Sequence, residues 1–147
     1  KVWQKTGKPW FYPATVDALE FPYGFETGTQ TRYGNAINLF TSIAEDMGRR
    51  EFDVALVAAA GLGTPIVAEA KRLGKAAVYL GGHLQVLFGV LGKRWREREE
   101  WQRLYINEHW IDMPDTYRPK ALAERRTVQV LGAEPFVLEG GDGGSYW

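Results

Sequence analysis

Two short apolar runs, each cut off by glycine, constrain this chain more than any other feature. Phe52-Asp53-Val54-Ala55-Leu56-Val57-Ala58-Ala59-Ala60 is closed by Gly61-Leu62-Gly63, and Ala76-Ala77-Val78-Tyr79-Leu80 by Gly81-Gly82. A nearly continuous apolar run is the pattern of a strand covered on both faces, because a strand with one wet face alternates. Between the runs, Thr64-Pro65 reads as an N-cap followed by proline at the first helical position, and Gly74 as the stop after Leu73. Strand, helix and strand at this spacing make a βαβ unit, whose crossover is right-handed in nearly all known sheets. Both glycine turns then fall at one carboxyl edge. The expected fold class is α/β: a Rossmann-like open parallel sheet with helices on both faces, in a single domain over residues 1–147.

The rest of the chain is read around that unit. Residues 1–34 scatter Trp3, Trp10, Phe11, Tyr12, Phe21, Tyr23, Phe25 and Tyr33 without period and are expected to be irregular, with one short strand at most. Ala36, Ile37, Phe40, Ile43, Ala44 and Met47 recur at helical spacing after Asn35, predicting a helix over 36–47 that stops at Gly48. His83 to Leu91 reads as a second apolar helix, Lys93 to Glu100 as a charged and partly helical excursion, and Trp110 to Pro114 as a turn. The tail carries Val128, Val130, Phe136 and Leu138 before Gly140-Gly141-Asp142-Gly143-Gly144.

Composition narrows the function classes. Eighteen basic residues balance eighteen acidic ones, so the long-range field behind non-specific nucleic-acid binding is not expected. There is no cysteine, which excludes a disulfide framework, a thiolate zinc site and a cysteine nucleophile, and is compatible with a cytoplasmic location. No apolar stretch approaches the roughly 20 residues of a membrane span, and no secretory leader is recognisable. The chain does not begin with Met, which is compatible with its being the C-terminal part of a longer protein.

The chemistry-bearing residues gather at the glycine turns. Gly61 and Gly63 let the backbone approach a ligand, and the amides of a helix opening near Thr64 favour an anion. The dinucleotide fingerprint G-x-G-x-x-G fails at its third position, Ile66, and no acidic residue ends the second strand, so an NAD-type site is disfavoured. The bland alternative is that these glycines make a tight turn and nothing more. Gly81, Gly82 and His83 close the second strand at the same edge, with His83 read equally as a phosphate donor or base and as a packed helix-start residue. Lys93 and Arg94 suit a diphosphate, against the plainer reading of a solvated surface. Trp95, Trp101 and Trp110 fit stacking on a sugar or base, but such spacing more often packs a subdomain. Ser42 and Ser145 lack a nucleophile-elbow pattern, and His83 and His109 lack metal-ligand spacing. Asp112, Asp115, Glu139 and Asp142 remain as carboxylates for acid/base work or metal binding, with Asp142 read more simply as a turn residue.

The stretches Phe52 to Val57, Gly61-Leu62-Gly63, Lys71 to Lys75, Gly81-Gly82, Leu87-Phe88-Gly89 and Gly92-Lys93-Arg94-Trp95 resemble a group of bacterial proteins found among surface-polysaccharide genes. Asn107-Glu108-His109-Trp110 and the closing Glu139-Gly140-Gly141 with Tyr146-Trp147 resemble the same group, over about the last two thirds of the chain. That group ends in a compact Gly-Gly-Cys-Tyr-Trp, whereas here Asp142, Gly143, Gly144 and Ser145 intervene and the cysteine is missing. The order of strand, glycine turn and helix also resembles the second half of GT-D-type glycosyltransferases. That resemblance implies a transferase of surface polysaccharide or glycan biosynthesis, a nucleotide-sugar donor, a glycan acceptor and a divalent metal such as Mn or Mg. On it, Gly61, Gly63, Thr64, Gly81, Gly82, His83, Lys93 and Arg94 would line the donor site, with no catalytic residue assigned, because nothing in residues 1–34 matches the Asp/Glu motif of such enzymes. A non-catalytic nucleotide- or glycan-binding module and an assembly subunit are the alternatives.

Overall fold

The computed structural model describes residues 15–22, 27–114, 126–128 and 136–138. The chain divides into two compact units, one built on Ala18–Leu84 and the other on Gln85–Val130, each with its own apolar core.

In the first unit, helix α1 spans Thr27–Tyr33, inside the stretch expected to be irregular, and Gly34 at φ 73° turns the chain out of it. Helix α2, Ala36–Gly48, follows the predicted 36–47 to within a residue. Asn35 caps it as expected, its Oδ1 accepting from the Asn38 amide at 2.9 Å. Leu39, Ile43 and Met47 form its buried stripe. At its end Arg50 pairs with Asp46 at 2.9 Å and donates to the Ala18 carbonyl at 3.3 Å, tying the entering segment to the helix.

Strand β1, Val54–Val57, and strand β2, Ala76–Tyr79, are parallel neighbours, with Val54 opposite Ala76 and Val57 opposite Tyr79. Helix α3, Gly63–Arg72, joins them and is stopped by Gly74 at φ 74°, as the βαβ pattern predicted. Thr64 is not the cap. A 3-10 turn over Ala60–Leu62 feeds straight into the helix, so Thr64 is its exposed second residue and Pro65 its third.

The expected sheet is realised only in part. Among the described residues each sheet has two strands, which makes the fold mixed α/β with small parallel sheets. Leu39, Ile43 and Met47 of α2 share one cluster with Ile66 and Ala70 of α3 and with Val57, and Ala55 and Ala77 pack against it. Both helices therefore serve the face that carries the side chains of Ala55 and Val57. Alternate residues point the other way. Val54 is 53% exposed there and Val78 47%, so helices on both faces are not found among the described residues.

In the second unit the apolar stretch from His83 is cut short. Helix α4 ends at Leu87, Gly89 at φ 80° reverses the chain, and Val90–Leu91 forms strand β3. Helices α5, Lys93–Arg96, and α6, Glu99–Leu104, fill the charged segment. Strand β4, Ile111–Asp112, then lies parallel to β3, where a plain turn was expected. The Ile111 amide donates to the Gly89 carbonyl at 2.9 Å and the Met113 amide to the Leu91 carbonyl at 3.2 Å. Two-residue strands are too short to show a period of two, which is why the sequence pattern did not reveal them. Strands β5, Arg126–Val128, and β6, Phe136–Leu138, pair antiparallel. The readings of residues 1–14 and of the tail from Glu139 to Trp147 lie outside the described residues. Among the described residues no helix is long and apolar enough to cross a membrane.

Candidate functional site

The parallel pairing of β1 and β2 sets the two glycine turns side by side. The Leu80 and Gly81 amides both donate to the Val57 carbonyl, at 2.9 and 3.2 Å, so the second turn departs from the chain end that feeds the first. Gly81 has φ 54°, and a Cβ placed on it would meet nothing, so glycine is needed there for backbone conformation rather than for room. The His83 amide donates to the Leu80 carbonyl at 3.1 Å and the Leu84 amide to the Gly81 carbonyl at 3.0 Å, so the turn runs directly into α4. Gly82 is half-buried and His83 exposed.

The first turn is built differently from the expectation. Ala60, not a glycine, takes the left-handed conformation, at φ 41°. The Leu62 amide donates to the Ala59 carbonyl at 2.9 Å and the Gly63 amide to the Ala60 carbonyl, while Pro65 has no amide to give. The start of α3 therefore spends two of its donors on its own turn. Gly61 is exposed with open space around it, but Gly63 is buried. A Cβ on Gly63 would lie within 2.7 Å of Cε2, Cζ and Cδ2 of the Tyr79 ring. What approaches this backbone closely is the protein's own side chain.

Tyr79 is the residue that sequence reasoning missed. Its hydroxyl donates to the Ala60 carbonyl oxygen at 2.7 Å, making that oxygen an acceptor for both the phenol and the Gly63 amide. The available signal was a lone aromatic in a run of small apolar residues, two positions before a glycine pair.

Gly61, Gly63, Thr64, Gly81, Gly82 and His83 all belong to the first unit, whereas Lys93 and Arg94 open α5 in the second. There the Arg94 and Arg98 guanidinium carbons stand 5.0 and 5.3 Å from the ring centre of Trp95. Trp95 is 2% exposed and clusters with Val86, Leu91, Ile106 and Trp110. Trp101 lies 4.9 Å from it, tilted by 46°, and Tyr105 5.3 Å from Trp101. These aromatics pack a subdomain, the plainer of the two sequence readings. Asp112 pairs with Arg96 at the surface, and His109 stands 3.9 Å from Glu108.

Elsewhere in the first unit, a hydrogen bond from Arg50 holds the Asp46 carboxyl below the usual aspartate range, and one from Arg72 does the same for Glu69. Neither group lies in a glycine turn. No group of three or more His, Asp or Glu residues among the described residues could hold a metal ion, so the implied Mn or Mg finds no fitting donor set there. Compared with known proteins, the chain matches no protein family, no curated protein and no solved structure.

Proposed function

We propose that the carboxyl edge of β1 and β2 is the donor site of a glycosyltransferase, or of its nucleotide-sugar-binding portion, acting in surface polysaccharide or glycan biosynthesis in the cytoplasm. In this reading the β1–α3–β2 unit is the described part of a Rossmann-like open sheet. The observation that carries the proposal is the juxtaposition of the Ala60–Gly63 and Gly81–His83 turns at the carboxyl ends of adjacent parallel strands. Open α/β sheets bind their ligands at that edge. Sugar transfer needs electrostatic stabilisation of the departing diphosphate, the role this reading gives to backbone amides of the two turns.

An amide-resolved NMR titration of the chain with UDP and GDP tests this. Shifts centred on the Ala60–Gly63 and Gly81–His83 turns are expected. Absence of any shift at millimolar nucleotide sinks the donor-site reading and leaves a glycan-binding module or an assembly subunit in its place.

A further inference from the structure

Three observations meet at Tyr79. Its phenol bridges 19 residues back to the Ala60 carbonyl, at 2.7 Å. The residue it holds, Ala60, has the one positive φ among described non-glycine residues, a conformation that costs an alanine roughly 1–2 kcal/mol on its own. Its ring lies on the Gly63 backbone so closely that no side chain fits between them. Yet Tyr79 is 46% exposed, so the ring can leave towards solvent without crossing the core.

We propose that Tyr79 is a latch over the first glycine turn: bonded to Ala60 it covers the Gly63 backbone, and a phosphate-bearing ligand reaches that turn only when the ring swings out. The identity of the ligand rests on the donor-site reading above; the latch itself does not. Closed, the phenol oxygen and ring occupy the approach that the sequence pattern assigned to a ligand. Open, the turn loses one of the two hydrogen bonds at the Ala60 carbonyl and keeps the one from the Gly63 amide. The two states differ by one hydrogen bond and one ring contact, a difference small enough for a ligand to reverse.

Tyr79→Phe tests the latch because it keeps the ring and removes only the O–H. Hydrogen exchange at the Leu62 and Gly63 amides, both bonded within the turn, reads opening directly, and the Val57 and Val78 amides of the sheet serve as the reference. Loss of one net hydrogen bond should speed exchange in the turn roughly two- to twelve-fold and leave the reference unchanged. Apparent affinity scales with the fraction of protein in the competent state, so UDP should bind Tyr79→Phe more tightly by the same factor. Tyr79→Ala should bind it at least as tightly as Tyr79→Phe. Unchanged exchange in Tyr79→Phe overturns the latch. Faster exchange with equal or weaker UDP binding overturns the gate and makes the ring part of the ligand's contact surface instead. If the parent and both variants all fail to bind UDP, the donor-site reading and the gate fall together, while the exchange ratio still decides whether the latch exists.

Discussion

Gly63→Ala is the substitution whose cost the structure specifies best. The new methyl group would occupy the space of the Tyr79 ring, and because that ring is half exposed it yields before the backbone does. Displacing it gives up roughly 100 Å² of the 150–250 Å² that an aromatic side chain can bury. At about 25 cal/mol per Å² that amounts to about 2.5 kcal/mol, an upper bound because the unfolded chain is not fully extended. The bond from the phenol to Ala60 adds about 1 kcal/mol. Replacing glycine by alanine in a helix returns about 0.5–1 kcal/mol. The single variant should therefore be destabilised by about 2–3 kcal/mol. In a Tyr79→Ala background the same change should turn neutral or slightly stabilising, because the three atoms nearest that position all belong to the Tyr79 ring.

The assay must report the first unit, and tryptophan fluorescence does not, because Trp95, Trp101 and Trp110 all lie in the second. Native-state hydrogen exchange at the β1 and β2 amides, followed through a urea series, gives the four stabilities of the cycle. A coupling of about 3 kcal/mol is expected. If the two substitutions add within about 0.5 kcal/mol, the ring does not sit on Gly63 in solution and the account of the turn is wrong.

Two further predictions concern α2. Asn35→Ala removes the side-chain acceptor for the Asn38 amide and should cost about 0.5–2 kcal/mol in the same exchange experiment, with Asn35→Asp largely restoring it. Asp46 should titrate below the usual aspartate range in a carbon-detected NMR titration, because the Arg50 guanidinium bonds its ionised form, and Arg50→Gln should move it back up. A depressed folded pKa gives stability that is present above the unfolded value and lost as pH falls through the folded one, so the link between Asp46 and Arg50 should fail only in acid.

How much of this was legible depended on whether the signal was local. The β1 and β2 runs, the α2 stripe ending at Gly48 and the Gly74 stop each rest on neighbours within a turn or two, and each was readable. The role of Gly63 was not, because it is set by Tyr79, sixteen positions on, through a strand register that no local pattern encodes. Thr64 was misplaced because a 3-10 turn and a β-to-helix cap begin alike in sequence, and only the Ala60 conformation separates them. Val90 and Leu91 continued an apolar helical pattern, and the turn at Gly89 that diverts them into β3 depends on its pairing with β4. At the candidate site the edge itself was readable from the two glycine turns, whereas the side chain covering it was not.

The sheet formed by β1 and β2 carries one more consequence, for how the chain behaves when it is not fully folded. Val54 to Ala60 is seven apolar residues in succession with neither charge nor proline, the composition from which intermolecular β-stacks nucleate. In the folded chain the strand is limited to four residues, and the left-handed Ala60 and the 3-10 turn bend its end out of line, which keeps the edge too short to template a long partner strand. Local opening of the Ala60 turn removes that protection and exposes an extended edge with no gatekeeping charge between Asp53 and Glu69. Self-association of the chain is therefore governed less by its surface charge, which is balanced, than by how firmly one short turn stays bent.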